Sequence, residues 1–284
     1  MPELPEVETM RRGILPIVGS RIETIERMPC ARKPIHISPR IDALRRRVNG
    51  IKVTAIERAG KRVVICLESD DRLVLEPRMT GLVLIADPPS REHLRVRIQL
   101  RSGPIREVFY WDRRGLGRVR LLDPTEFERE CGGEKLGPDA LAISADELRE
   151  RLRLSSRAIK VALLDQRAVA GVGNLYASEM LHQAGIHPSR RCRQLTIADW
   201  NRLHTALVEI LQLAIFHEGS TLSDGTYRNA LNKSGGYQNH HRVYDRTGEQ
   251  CPTCRRAEIV RIVQAQRATF FCPTCQSKRR ASVR

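Results

Sequence analysis

No stretch of this sequence approaches the ~18 consecutive apolar residues that a membrane-spanning helix needs. Its opening, Met1-Pro2-Glu3-Leu4-Pro5-Glu6, also lacks the basic start and apolar stretch of a secretory leader. These two absences predict a cytosolic protein with no membrane partner. Acidic side chains are in the minority as well, with 33 Asp and Glu against 49 Lys and Arg, a formal net charge of +16. The excess is spread along the whole chain. Acids would serve solubility at least as well, so a basic surplus of this kind favours a polyanionic partner whose phosphates it neutralises with release of counterions.

With 284 residues the chain can bury a sizeable core, and two domains fit that length better than one. Four of its cysteines, Cys30, Cys66, Cys131 and Cys192, are scattered singly and read as ordinary thiols of a reducing compartment. The other four form two C-x-x-C knuckles, Cys251-Pro-Thr-Cys254 and Cys272-Pro-Thr-Cys275, separated by residues 255–271. This spacing predicts one zinc ion held by four thiolates, with a two-stranded hairpin between Ile259 and Phe271. A redox pair or paired disulfides are the alternatives, but no thioredoxin-like βαβ pattern lies nearby. Four cysteines leave no coordination position for water, so the zinc is structural. The hairpin would present Arg261 and Arg267, and the tail adds Lys278, Arg279 and Arg280.

Up to about residue 130 the pattern is one of short strands, at 62–67, 72–75, 81–85, 94–100, 107–111 and 118–122. In Leu94-Arg-Val-Arg-Ile-Gln-Leu100 apolar and polar residues alternate strictly, the mark of a half-buried strand. Ahead of them, Val7, Met10, Ile14 and Leu15 recur at roughly helical spacing behind Pro5. Gly132-Gly133 and Gly137-Pro138 mark a linker. Helices follow, with capping patterns at Ser144/Glu147 and Thr196/Asp199 and a core stripe of Trp200, Leu203, Leu207, Ile210, Leu211 and Ala214. Within this region, the glycine-rich turn of Gly171-Val-Gly-Asn-Leu-Tyr-Ala-Ser-Glu179 leads into a helix whose first amides suit a phosphate, although a tight turn between packed helices is the simpler reading. The expected class is α+β: a sandwich or barrel-like β domain with an N-terminal helix (1–130), a linker (131–143), a helical domain (144–240), and a zinc finger with a basic tail (241–284). His240-His241 reads as a surface pair.

Removal of Met1 would expose the secondary amine of Pro2 beside Glu3, with Glu6 one helical turn further on. Free α-amino groups titrate near ~8, so an uncharged nucleophile able to form an iminium is available at neutral pH. Alone, Pro2 and Pro5 could equally serve to stiffen the chain end. Taken with Met1-Pro-Glu-Leu-Pro-Glu-Val-Glu-Thr9, Gly171 to Glu179, Ala265-Gln-Arg-Ala-Thr-Phe270 and the four-cysteine end, the chain resembles the formamidopyrimidine-DNA glycosylase family over nearly its whole length. The Glu-Leu-Pro-Glu-Val opening is similar to the oxidised-purine branch rather than to endonuclease VIII.

The resemblance implies a β-sandwich, a helix-two-turn-helix domain and a zinc finger, with duplex DNA containing oxidised bases clamped between the two halves of a monomer in the bacterial cytosol and nucleoid. Pro2 would attack the deoxyribose C1′, Glu3 would handle protons at the sugar, and β,δ-elimination would cut the strand. Glu6 would face the flipped base. Lys61 would lie near the damaged nucleotide's phosphates, with Lys160, Asn174 and Arg267 as further phosphate contacts. Met79 and Arg114 match two of the side chains that fill the void left by a flipped base, and Leu116 stands where the family has phenylalanine. Two more departures are Glu76 in place of a phosphate-contacting histidine and Gly115 in place of a second arginine. Both remove positive character, which Arg78 or Arg113 would have to restore. The segment Ser220-Thr-Leu-Ser-Asp-Gly225 matches the family's lesion-covering loop. A zinc-containing damage-binding protein without catalysis, and an endonuclease VIII-like enzyme acting on oxidised pyrimidines, are the rival readings.

Overall fold

The computed structural model describes residues 2–278; the expected basic contributions of Arg279 and Arg280 lie outside them. It contains two compact units, and they are not continuous in sequence: residues 1–132 associate with 214–238, and residues 133–213 with 239–284.

The first unit begins with α1 (Leu4–Gly13), where Pro5 occupies the first turn and Glu3 caps the start. There follow β1 (Arg21–Arg27), β2 (His36–Ser38), α2 (Ile41–Val48), β3 (Val53–Ala59), β4 (Arg62–Leu67), β5 (Arg72–Glu76), β6 (Gly81–Leu84), β7 (Leu94–Arg101), β8 (Glu107–Asp112), β9 (Arg118–Leu122) and α3 (Pro124–Cys131). One sheet has the order β1-β7-β8-β6 and the other β2-β9-β5-β4-β3; every pairing is antiparallel except β2 with β9. Their inner faces share one core, including Val63, Ile65, Leu73, Leu75, Val96, Ile98, Val108 and Tyr110, so the arrangement is a β-sandwich. Val7, Met10 and Ile14 of α1 pack into that same core.

The alternation over 94–100 needs one correction. Arg95 is buried along with its apolar neighbours, its Nε donating to the Asp112 carbonyl. The stretch from Ala214 to Gln238, expected in the helical domain, packs with the sandwich because Ser220, Tyr227 and Ala230 dock against α1.

The second unit holds α4 (Ala145–Leu152), α5 (Ile159–Leu163), α6 (Asn174–Gln183), most of α7 (Ile197–Phe216), and the hairpin β10 (Val260–Gln264) and β11 (Arg267–Phe271). Ser144 caps α4 through the Glu147 amide, and Thr196 and Asp199 cap the start of α7 reciprocally. The predicted α7 stripe from Trp200 to Ala214 is buried. Among the described residues no helix is long and apolar enough to cross a membrane.

Candidate active site and metal centre

Pro2 and Glu3 are both buried at the start of α1. The helix geometry explains their placement. The Glu3 side chain accepts from the Glu6 backbone while Glu6 Oε2 accepts from the Glu3 amide at 2.9 Å, a reciprocal cap that fixes the chain end. The other Glu6 oxygen, Oε1, accepts from the Ser220 amide, also at 2.9 Å. The carboxylate expected to face a flipped base therefore ties the first turn of α1 to the segment from Ser220 to Gly225. Gly219 permits that approach: it has a φ of +80°, and a Cβ there would come within 2.9 Å of Glu6 Cγ.

Two residues beyond Glu6, Glu8 receives Arg11, Arg12 and Arg58, at 2.8, 2.8 and 3.0 Å respectively. Arg58 belongs to β3, so this cluster clamps α1 on the sheet. Burial works against the charged form of Glu8, but hydrogen bonds from the three guanidinium groups overcome it and hold its pKa at about 2. Two residues beyond Arg58, the tight turn at Gly60 (φ +56°) carries Lys61, half-buried, between β3 and β4.

The expected void-filling residues come from two turns joined by a buried hub. Asp112 Oδ1 accepts from Thr80 Oγ1 at 2.5 Å, Thr80 Oγ1 accepts from the Arg114 amide at 3.0 Å, and Asp112 Oδ2 accepts from the Gly117 amide at 2.8 Å. These bonds bring Met79 and Arg114, both exposed, and Leu116, half-buried, to the same end of the β6 and β8 strand pair. Gly115 explains one departure from the family pattern. At a φ of +63° an added Cβ would lie 2.2 Å from the Lys33 carbonyl, so an arginine does not fit this turn. Glu76 explains the other. It is buried with its carboxylate facing Arg78 (3.3 Å), Arg62 (3.6 Å) and Arg120 (3.9 Å). Arg78, offered as a compensating cation, is thus shared with the acid that it would have to compensate; Arg113 is exposed.

In the second unit Lys160 departs from expectation. It is fully buried, and its Nζ donates to Asn174 Oδ1 (2.6 Å), Thr269 Oγ1 (2.7 Å) and the Ala268 carbonyl (2.9 Å). An ammonium has three protons. All three are taken, so Lys160 sets the position of Asn174, at the start of α6, and docks β11, whose first residue Arg267 is exposed. The hairpin turn at Ala265 and Gln266 has both residues at positive φ, the geometry that matches strand twist.

The Sγ atoms of Cys251, Cys254, Cys272 and Cys275 all lie within 4.8 Å of one another, with pairs at 3.6 and 3.8 Å. Tetrahedral thiolates about 2.3 Å from zinc stand about 3.8 Å apart, whereas a disulfide requires about 2.05 Å. The donor set therefore fits one structural zinc. His182 Nε2 lies 3.6 Å from Cys251 Sγ as an outer contact. Glu179, fully buried, accepts from the amides of Arg242, Val243 and Tyr244 and so anchors the entry to the finger. In that entry His241 is buried, contrary to the surface pair expected, and burial pushes its pKa down to about 4.

Sequence reasoning had no signal for Thr80, Asp112, Glu179 or the Glu6 to Ser220 bond. Each depends on a contact distant in sequence, and the only local trace is the run of small and glycine residues around them.

Comparison with known proteins agrees with these features. Residues 1–119 match the formamidopyrimidine-DNA glycosylase N-terminal domain, 136–226 its H2TH domain, and 248–278 the zinc finger found in FPG and IleRS. The formamidopyrimidine-DNA glycosylase of Chloroflexus aurantiacus is 39% identical, covering 97% of this chain and 98% of its own. A mutant Lactococcus lactis FPG in complex with Fapy-dG-containing DNA superposes with a TM-score of 0.85 at 35% identity, over 98% of this chain and 100% of that one. The Lactococcus lactis Fpg bound to abasic-site DNA has the same TM-score and identity, over 97% and 100%. With relatives this similar along almost their full length, and with the sandwich, the helical unit and the four-cysteine centre all in place, the chain belongs to the formamidopyrimidine-DNA glycosylase family.

Proposed function

We propose that this protein is a bifunctional DNA glycosylase and AP lyase of base excision repair that removes oxidised purines, 8-oxoguanine and formamidopyrimidines, from duplex DNA in the bacterial cytosol. The observation that carries this reading is the Pro2-Glu3 pair, buried and fixed at the reciprocal cap of α1. A nucleophile must be held in place to react, and here two hydrogen bonds between Glu3 and Glu6 fix the residue that follows it before substrate arrives. The Pro2 amine attacks C1′, a C–N bond forms as the glycosidic bond breaks, and the base leaves. Glu3 moves protons at the opened sugar. β,δ-Elimination through the iminium then releases the sugar.

The remaining residues bind and distort DNA. Lys61, Asn174 and Arg267 offer polar contacts to phosphates, Lys160 holds Asn174 and the hairpin in position, and Met79, Arg114 and Leu116 fill the void of an extruded nucleotide. A leucine wedge keeps apolar contact but loses stacking on the neighbouring base.

Borohydride trapping tests the chemistry. On an 8-oxoguanine:cytosine duplex, wild type with a native N-terminus should be captured covalently, and Pro2→Gly or a form with one added N-terminal residue should lose most of that capture. Wild type that binds the duplex without trapping or cutting it, and leaves an oxidised-pyrimidine duplex intact too, would instead be a non-catalytic damage-binding protein. Trapping on oxidised pyrimidines alone would make it endonuclease VIII-like.

A further inference from the structure

Cys30 sits on the connection between β1 and β2, beside a cavity of about 310 Å³ that it lines with Arg27, Met28, Pro34 and Arg95. Its Sγ donates to the Glu92 carbonyl at 3.0 Å and accepts from Arg95 Nη1 at 2.6 Å. Arg95 is 2% exposed, yet its Nη2 has no hydrogen-bond partner. A buried guanidinium nitrogen left without an acceptor is unfavourable, so an acceptor that arrives only sometimes would resolve an otherwise unexplained donor. An oxygen atom bonded to Cys30 Sγ is such an acceptor, because the sulfur already touches the other nitrogen of the same guanidinium group.

We propose that Cys30 is a peroxide-reactive thiol whose sulfenic acid is held by Arg95. The sulfur attacks one oxygen of a hydroperoxide, an S–O bond forms as the O–O bond breaks, and the leaving oxygen takes up the thiol proton as water or alcohol. Sulfur is oxidised by two electrons and the peroxide is reduced. The other isolated thiols are poor competitors. Burial pushes Cys66 and Cys192 up to about 11 and raises Cys131 as well, whereas Cys30 is half-buried beside an open cavity and a cation.

The modification has a route to the DNA-binding turns. Arg95 Nε donates to the Asp112 carbonyl at 2.8 Å, and the Asp112 carboxylate organises Thr80, Arg114 and Gly117. Oxygen on Cys30 redirects Arg95 and thereby shifts the turn that carries Arg114 and Leu116. This second step rests on the proposed function, whereas the oxidation does not.

The experiment uses the zinc-loaded full chain, hydrogen peroxide, and a 1,3-dione probe for sulfenic acids, with labelled sites mapped by mass spectrometry. Cys30 should label about ten-fold faster than Cys66, Cys131 or Cys192; equal rates overturn the proposal. Cys30→Ser should match untreated wild type in thermal melting and in lesion-duplex affinity, and should keep that affinity after peroxide while wild type loses about five-fold. Equal losses in the two proteins overturn the link to the DNA turns and assign the damage to other groups, such as the zinc thiolates. Labelling of Cys30 in a protein that cleaves no lesion at all would leave the oxidation standing and remove only the second step.

Discussion

Single charges in this protein act through the neighbours that burial gives them. Glu8 is the clearest case, because three guanidinium groups converge on one nearly buried carboxylate and hold its pKa at about 2. An unfolded glutamate titrates near 4.5. A depressed carboxylate contributes stability above the unfolded value and loses it as pH falls through the folded one. The window runs downward from about pH 4.5 to about pH 2. Glu8→Gln should therefore destabilise the fold by about 2 kcal/mol at pH 7, after allowance for solvent around Arg11 and Arg12. Urea denaturation of both proteins at neutral pH and near pH ~2 measures the gap. A gap that stays undiminished at the acidic end would mean that packing rather than charge is responsible. Glu76 shows the reverse relation to sequence. As a lone substitution it reads as lost positive charge, but the structure surrounds it with Arg62, Arg78 and Arg120.

At the scale of elements, strands with an apolar inner row were legible in the sequence, and polar ones were not. The runs at 62–67 and 118–122 coincide with β4 and β9, whereas β1, Arg-Ile-Glu-Thr-Ile-Glu-Arg, offers only Ile22 and Ile25 to the core and carries no strong alternation. The hairpin between the knuckles was readable from spacing alone. What docks it was not, because Lys160 looks like any basic residue until its three acceptors on α6 and β11 are seen. Truncating that ammonium leaves Asn174, Thr269 and a carbonyl without their donor, and losing one partner of a buried polar cluster typically costs about 3 kcal/mol. Lys160→Met, close in volume and apolar, should destabilise the helical unit by that amount and raise amide exchange in β10 and β11 while leaving the sandwich strands protected. It should also weaken binding of undamaged and lesion DNA alike, since Asn174 and Arg267 lose their common support. Exchange that rises equally in both units would show that Lys160 supports the whole chain rather than the hairpin.

Across the whole molecule, the motifs announced the family, but the division of the chain did not follow their order. Residues 214–238 join the sandwich through hydrogen bonds such as Glu6 to Ser220, across a sequence separation of 214 residues that no local pattern encodes. The consequence is that the proposed nucleophile and the segment expected to cover the lesion belong to one unit, while the zinc centre belongs to the other. Metal removal separates them. The small finger core, Val243, Ile259, Phe270 and the knuckle cysteines, is too limited to hold itself together without the ion. Chelation at neutral pH should abolish exchange protection in β10 and β11 and in the Arg242 to Tyr244 amides that Glu179 holds, and restored zinc should return it. The sandwich core does not depend on that ion, so its strands should stay protected and Glu6 should still hold Ser220. With the finger unfolded, affinity for duplex DNA should fall by about ten-fold or more, since Arg267 loses its place. At protein concentrations high enough to force the encounter, borohydride capture on an abasic site should survive. Loss of sandwich protection together with the finger would instead mean that the two units fold as one, and that the zinc supports the Pro2 site as well as the finger's hairpin.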